Sequence, residues 1–169
     1  MLRIFITGNI RKALRDKKNF IESQLDIRIT VHGRHLIIES KKDAYSEYIA
    51  EKVFTAINMG FGFDIALSLS NQNFLLETID IKRAVKGSRY REAISRVIGS
   101  NGKIINSLSE LTGCDILIKD KVIGILGELA NVSIAVHALN SLVRGAPYSH
   151  AVKFIQENKG KIYEPENFE

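Results

Sequence analysis

The chain has 169 residues, of which 45% are hydrophobic, so it can bury a core and is not expected to be disordered as a whole. One cysteine and two prolines exclude a disulfide-framed secreted module and a proline-rich chain. The 24 basic and 19 acidic side chains leave a net charge of +5, which is too small to identify a binding partner. The length fits one large domain or two small ones.

The first part of the chain predicts a strand, a helix, a hairpin and two further helices. Residues 2–7 predict a strand. Apolar residues alternate over 26–31, and this run leads through a turn at Gly33 to an apolar run at 36–38, which predicts a hairpin. Helical periodicity appears in the remaining segments. The predicted helices cover residues 14–25, 44–59 and 64–69.

The second part of the chain is predicted to repeat the first. A strand is predicted at 74–81, and a hairpin is predicted from the strands 115–118 and 122–126. Two helices, 89–98 and 103–112, are separated by a glycine-containing break. The closing helix, 128–143, carries an apolar stripe and ends at Gly145, and Pro147 prevents its continuation. The stripe consists of Val132, Ala135, Val136, Leu139 and Leu142.

The two parts align residue by residue, which predicts a duplication. Gly60 matches Gly145 at an offset of 85 positions, and the same offset relates residues of the preceding and following helices. Residues 26–29 match 115–118 at an offset of 89. The predicted architecture is α+β, with two β-α-α-β-β-α units. We expect one unit at 1–72, the second at 73–159 and an acidic tail at 160–169.

Basic residues are concentrated in one block of the second unit. Between residues 82 and 103 only one acidic residue, Glu92, occurs. Such a block is typical of a surface that binds a polyanion, but composition alone fits a solvated charged face equally well. Its basic residues are Lys82, Arg83, Lys86, Arg89, Arg91, Arg96 and Lys103.

A glycine-flanked segment, Gly99-Ser100-Asn101-Gly102, lies inside this block between two predicted helices. A helix that starts after such a bend presents free backbone N–H groups and a partial positive charge, to which a phosphodiester can come close. Lys103 and Arg96 would neutralise the phosphate. An apolar floor for the bases would come from Ile98, Ile105 and Ile116. The simpler alternative is a helix-joining turn, but the basic context favours nucleic-acid binding.

Residues 97–105, Val-Ile-Gly-Ser-Asn-Gly-Lys-Ile-Ile, resemble the signature of the K-homology (KH) family, an Ile-Gly-x-x-Gly loop followed by an apolar helix. In that family the loop binds about four backbone nucleotides. The flanking segments 60–77, 123–127 and 144–147 are similar to the Partner-of-Nob family of tandem KH proteins. This resemblance extends from about Tyr48 to Glu157.

The resemblance implies a non-catalytic assembly factor of the small ribosomal subunit. Its RNA would be the 3′ end of small-subunit ribosomal RNA, beside the Nob endonuclease that trims it. For archaeal members it also implies the alpha subunit of translation initiation factor two, and the short segment before the first strand favours an archaeal type. A general tandem-KH regulator of messenger RNA and a protein-interaction scaffold remain as alternatives.

The first unit departs from the KH pattern, because residues 8–19 contain no second glycine three positions after Gly8. We therefore expect this unit to be degenerate and assign the specific RNA contact to the second. Five basic residues in the segment would contact phosphates as point charges or would form a solvated helix face. These are Arg11, Lys12, Arg15, Lys17 and Lys18.

Other functional classes find little support in the sequence. No nucleophile–base set and no carboxylate cluster is recognisable, so we expect no enzymatic activity, no cofactor and no metal. His32 and His35 flank a turn without ligands at metal spacing, and Cys114 is expected to be a core thiol. No apolar run is long enough for a membrane span or a signal peptide, which predicts a cytoplasmic protein.

Overall fold

The structure is a computed structural model that describes residues 1–160, and these form two compact units that divide between Gln72 and Asn73. The first unit begins with a strand and a long helix and continues with a hairpin and two helices. A 3₁₀ turn, Ser68–Ser70, ends it. Its elements are β1 (Leu2–Phe5), α1 (Gly8–Gln24), β2 (Ile27–His32), β3 (His35–Ser40), α2 (Ala44–Met59) and α3 (Phe63–Leu67). Of the predicted acidic tail, all but Gly160 lies outside the described residues.

The second unit has the same order of elements with two differences. A short helix follows its first strand, and two separate helices stand where the first unit has α1. The 3₁₀ turn Gly87–Arg89 leads into the first of them. The elements are β4 (Phe74–Asp80), α4 (Ile81–Ala84), α5 (Tyr90–Ile98), α6 (Lys103–Thr112), β5 (Asp115–Lys119), β6 (Val122–Glu128), α7 (Leu129–Arg144) and α8 (Tyr148–Asn158).

Each unit contains a three-stranded antiparallel sheet in which the third strand lies in the middle. The orders are β1-β3-β2 and β4-β6-β5. In the first sheet Ile29 lies opposite Ile38, and in the second Ile116 lies opposite Ile125. Two-residue turns close both hairpins, between His32 and His35 and between Lys119 and Val122. The predicted α+β class is confirmed.

The internal repeat is visible in the bounds of the elements. Helices α2 and α7 both have 16 residues, and their bounds differ by the offset of 85 positions seen in the sequence. Both end at a glycine in the left-handed conformation, with φ of 111° at Gly60 and 112° at Gly145. Ala66 and Ala151, which also match at this offset, are fully buried in α3 and α8. The duplication inferred from the sequence therefore extends to helix length, helix end and buried positions.

The core of the second unit lies between its sheet and its long helices. Val97 of α5, Leu108 of α6 and Leu139 of α7 pack with Ile123 and Ile125 of the central strand. On α7 four of the five predicted stripe residues are buried, and Val136 is half-buried. Burial of Val97 and Leu108 against the sheet fixes the positions of α5 and α6. Within the described part of the chain, no helix has the length and apolarity needed to cross a membrane.

Helix α1 differs from its prediction, because it begins at Gly8 and not at residue 14. The Thr7 side chain accepts a hydrogen bond from the Ile10 amide (3.4 Å) and so caps the helix. Gly8 and Asn9 are poor helix formers, so helix propensity did not predict this first turn. Lys17 interrupts the helix with φ −133° and ψ 15°, so α1 consists of two helical segments on either side of a kink.

Candidate nucleic-acid interface

The corner between α5 and α6 is a single tight turn. The Gly99 amide donates to the Ser95 carbonyl (2.9 Å) and ends α5, and residues Ser100–Gly102 form one 3₁₀ turn before α6 begins at Lys103. Asn101 has φ 53° and ψ 31°, a left-handed conformation that asparagine tolerates better than most residues. The chain thus passes from one helix to the next within four residues, as the sequence predicts.

The two glycines of the corner are needed for different reasons. Gly99 has φ +70°, and a Cβ atom there would lie 2.6 Å from Cγ1 of Ile104. Ile104 itself packs against the core of the unit, so it cannot easily retreat. Gly102 has φ +75°, but a Cβ there would come no closer than 3.6 Å to Asn106. Close packing therefore requires glycine at 99, whereas the backbone conformation alone favours it at 102.

The start of α6 is open to an anion. Gly102 is the N-cap residue, and no side chain among the described residues caps the helix at this point. The first amide groups of a helix have no partner within it, and the helix dipole places partial positive charge there. Ser100, Asn101 and Lys103 are exposed around this end. The corner can therefore receive a phosphate on backbone amides, with the Lys103 ammonium beside it.

The apolar side chains predicted to support bases lie on the elements next to the corner. Ile98 is the last residue of α5, and Ile105 lies in the first turn of α6; both are half-buried. Ile116 lies on β5, against which α6 packs, and it contacts the core. All three retain some accessible apolar surface, which suits them to contact a base.

Arg96 has a contact that the sequence did not reveal. Its Nη1 donates to the carbonyl oxygens of Leu142 (2.9 Å) and Val143 (3.2 Å), in the last turn of α7. A cation is favourable at this end of a helix, where carbonyl groups lack partners. Arg96 therefore joins the last turn of α5 to α7 and holds the corner in place. These partners lie 46 and 47 positions away in the chain, and no local pattern indicates them.

The other basic residues of the block fall into two groups. Arg83 forms an ion pair with Asp80 (3.3 Å), the N-cap residue of α4. The side chains of Lys82, Lys86, Arg89 and Arg91 are exposed.

Several cations lie around Tyr90, and one of them, Lys121, was not predicted from the sequence. Arg91 Nε donates to its hydroxyl (3.4 Å), and Lys121 Nζ lies 4.6 Å from its ring centroid. The hydrogen bond from Arg91, followed by the charges of Arg91, Lys121 and Lys82, lowers the pKa of the Tyr90 phenol. Lys121 lies in the β5–β6 turn, outside the basic block of the sequence, so only the fold brings it there.

In the first unit the position of the corner is occupied by the kink in α1. Lys17 Nζ lies 3.3 Å from a carboxylate oxygen of Asp64 and 4.4 Å from the ring centroid of Phe63. Arg11, Lys12, Arg15 and Lys18 are exposed, and Arg15 pairs with Asp16 (3.6 Å). No glycine-flanked loop interrupts the helix here.

The remaining candidates have structural surroundings. His32 and His35 are exposed neighbours across the β2–β3 turn. Cys114 is buried beside β5, and its burial raises the pKa of the thiol to about 11. Among residues 1–160 no group of three or more His, Cys, Asp or Glu side chains is placed to hold a metal ion.

The model of the second KH domain of the PNO1 family, described as a eukaryotic-type KH domain (KH-domain type I), matches residues 75–160. The chain belongs to the Partner-of-Nob family of KH proteins. The part of the chain that matches this model contains β4 from its second residue on, the glycine corner and the hairpin, all parts of one KH domain.

Two relatives show how far this KH family likeness extends. KH domain-containing protein MJ0443 of Methanocaldococcus jannaschii is 31% identical over 92% of this chain and 67% of the relative. Pre-rRNA-processing protein pno1 of Aspergillus oryzae is 28% identical over 73% of this chain and 50% of the relative. The chain therefore spans two thirds of the first relative and half of the second.

A solved structure confirms the KH fold. A chain in the a/eIF2alpha-aDim2p-rRNA complex from Pyrococcus horikoshii OT3 matches with a TM-score of 0.79 at 23% identity, over 92% of both chains. At this identity the likeness shows the fold alone.

Proposed function

We propose that this protein is a non-catalytic, single-stranded RNA-binding assembly factor of the small ribosomal subunit that binds near the 3′ end of its ribosomal RNA. The observation that carries the proposal is the open start of α6 behind the Gly99–Gly102 turn. The name of the Aspergillus relative, a pre-rRNA-processing protein, supports the choice of ribosomal RNA.

In the proposed complex, backbone phosphates lie against the amides of the turn and of the first α6 residues, with Lys103 nearby. Bases rest on Ile98, Ile105 and Ile116. The exposed cations Lys82 and Arg91 add affinity for this RNA segment that does not depend on sequence, Lys86 and Arg89 contact phosphates of RNA beyond it, and hydrogen bonds to base edges give preference. Arg83, which is ion-paired with Asp80, and Arg96, which is hydrogen-bonded to carbonyls of α7, also contribute positive charge. The first unit is a degenerate KH unit in this proposal.

Two protein partners complete the proposal. A Nob-type endonuclease would act beside the bound 3′ end, as the family resemblance implies. The alpha subunit of translation initiation factor two is supported by the Pyrococcus complex, which contains a/eIF2alpha together with aDim2p and rRNA. A protein that contacts ribosomal RNA and an initiation factor would act in the cytoplasm.

The test is a pair of charge substitutions in the turn, Ser100→Asp with Asn101→Asp. Both side chains are exposed, and aspartate tolerates the left-handed conformation of Asn101, so the fold should persist. Two carboxylates facing a phosphate should weaken binding to ribosomal 3′-end RNA at least about tenfold, roughly 1.4 kcal/mol. Fluorescence anisotropy over a salt series measures the loss, and Ser100→Asn is the neutral control. Unchanged affinity of the folded double variant would remove the turn from RNA binding.

Two comparisons separate the alternatives. A messenger RNA regulator would bind scrambled RNA as well as ribosomal 3′-end RNA in a competition assay. A protein scaffold would retain its partners in a pull-down after ribonuclease treatment, whereas an RNA-dependent assembly factor would lose them.

A further inference from the structure

A basic cleft lies on the second unit apart from the glycine corner. It is bounded by α5, by the segment that joins α4 to α5 and by the end of α7, and its volume is about 530 Å³. Four cationic side chains and one acidic side chain line it, a local net charge of 4 − 1 = +3. These are Lys86, Arg89, Arg96 and Arg144, with Glu92. Arg144 lies outside the basic block recognised in the sequence, and the end of α7 brings it to the cleft.

The cations of the cleft are available for a ligand. None of the ion pairs among the described residues involves Lys86, Arg89 or Arg144, and all three are exposed. Arg96 donates to backbone carbonyls through Nη1 only. Four cations that converge around a single carboxylate repel one another, and a bound anion relieves this repulsion.

The cleft and the apolar floor lie on different faces of α5. Arg89 is the residue before α5 and has helical backbone angles. Glu92 and Arg96 follow it at spacings of three and four, so the three side chains lie on one side of the helix. Ile98 comes two residues after Arg96 and is therefore rotated by roughly 200° from it. The non-polar lining of the cleft is Ala84, Val85 and Val143, small side chains that offer no aromatic surface for base stacking. The cleft suits a phosphate better than a base.

We infer that this cleft is a second RNA site, which binds backbone phosphates of the RNA that flanks the single-stranded segment held at the glycine corner. This inference rests on the proposed function, since it assumes that the corner binds RNA. Contacts made through phosphates alone carry no sequence preference, but they position the protein and add a salt-dependent part to the affinity.

The experiment compares three RNAs with the full chain. One is a single strand of about six nucleotides, long enough for a KH corner. The others carry a hairpin stem of about ten base pairs, roughly one helical turn, at the 5′ or the 3′ end of the same strand. The test variant is Lys86→Ala with Arg144→Ala. The matched control, Lys153→Ala with Lys159→Ala, also removes two exposed cations, but from α8 and the residue that follows it.

We expect wild type to bind at least one stem-containing RNA more tightly than the short strand. The test variant should lose about tenfold on that RNA, and the slope of log affinity against log salt should fall by about two, one per phosphate contact. Its affinity for the short strand should stay within about twofold of wild type. The charge-conserving pair Lys86→Arg with Arg144→Lys should retain binding, and Glu92→Gln should strengthen it for the stem-containing RNA only.

Two results would overturn the inference. An equal loss on the short strand would place Lys86 and Arg144 in the single-strand site, and no loss on any RNA, or the same loss in the control, would show that the cleft does not bind it. Failure of the proposed function has a different signature, because wild type would then not bind the short strand at all.

Discussion

The α5–α6 corner and the kink in α1 occupy the same place in the two units, but they change the direction of the chain in different ways. Residues 8–16 form a nine-residue helical segment, as long as α5. In the second unit a four-residue turn with two left-handed glycines follows, and α6 starts without a side-chain cap. In the first unit a single residue, Lys17, makes the change of direction, and Asp64 and Phe63 hold its side chain.

If the corner binds phosphate as proposed, this difference means that the topology of the repeat does not by itself create the site. An anion needs backbone amides that nothing else occupies, and those amides need a turn that side chains do not crowd. The second unit meets both conditions at Gly99–Gly102. The first unit has no such turn. The cation at its kink, Lys17, contacts the carboxylate of Asp64 and the ring of Phe63 within the unit.

The largest effect is expected from Gly99→Ala. The added methyl would meet Ile104 at 2.6 Å in a left-handed backbone conformation. Overpacking and backbone strain together should lower the free energy of unfolding by about 2–4 kcal/mol. Gly102→Ala, which faces only the strain, should cost about 1–2 kcal/mol. Chemical denaturation of both variants checks the difference, and equal losses would contradict the two separate reasons for glycine.

Arg96→Ala should have the next largest effect. It removes two hydrogen bonds from a charged donor to the end of α7, and such bonds each contribute about 1.5–3 kcal/mol. Because Arg96 is half-buried, we expect a loss of about 2 kcal/mol in total. Arg96→Lys should recover part of it. Amide hydrogen exchange of α5 and α7 should accelerate in the alanine variant; unaltered exchange would show that Arg96 does not hold the corner.

Cys114 gives the second unit a titratable group at a position where the first unit has Leu25, at the 89-residue offset. Burial raises the thiol pKa from 9.0 to about 11, so the folded state favours the protonated form. This stabilisation is complete below pH 9 and is lost as the pH rises through 11. At pH 10 the loss is about 1.4 kcal/mol. Between pH 8 and pH 10, the free energy of unfolding from chemical denaturation should fall less in Cys114→Ala than in wild type. The same fall in both proteins would exclude the thiol as its source.

The smallest effect is expected from Lys17→Ala in the first unit. Its ammonium group is partly exposed, so the ion pair with Asp64 and the contact with Phe63 should together contribute at most about 1 kcal/mol. RNA affinity should remain within about twofold of wild type. A tenfold loss of affinity without unfolding would give the first unit a direct RNA contact and contradict the proposed functional difference between the two units.

Sequence patterns predicted most elements because their causes are local. Period-two alternation located β2, a short apolar run before a turn located β5, and Gly60 and Gly145 marked the ends of α2 and α7. The start of α1 was missed because Thr7 caps two residues of low helix propensity. Lys121 was missed at the interface because it approaches Tyr90 only after the β5–β6 hairpin has formed.

The sequence by itself determined the duplication, most of the elements and the glycine turn, since periodicity, helix ends and left-handed residues are properties of neighbouring positions. It did not predict the short helix α4, nor α8, which follows the predicted closing helix. Only the tertiary structure decided what each cation does. It set Arg96 on carbonyls of a helix 46 positions away, paired Arg83 with Asp80 and gathered Lys86, Arg89 and Arg144 around one cleft. The reason is physical: a charge takes its role from the groups within a few ångströms, and folding selects those groups from distant parts of the chain.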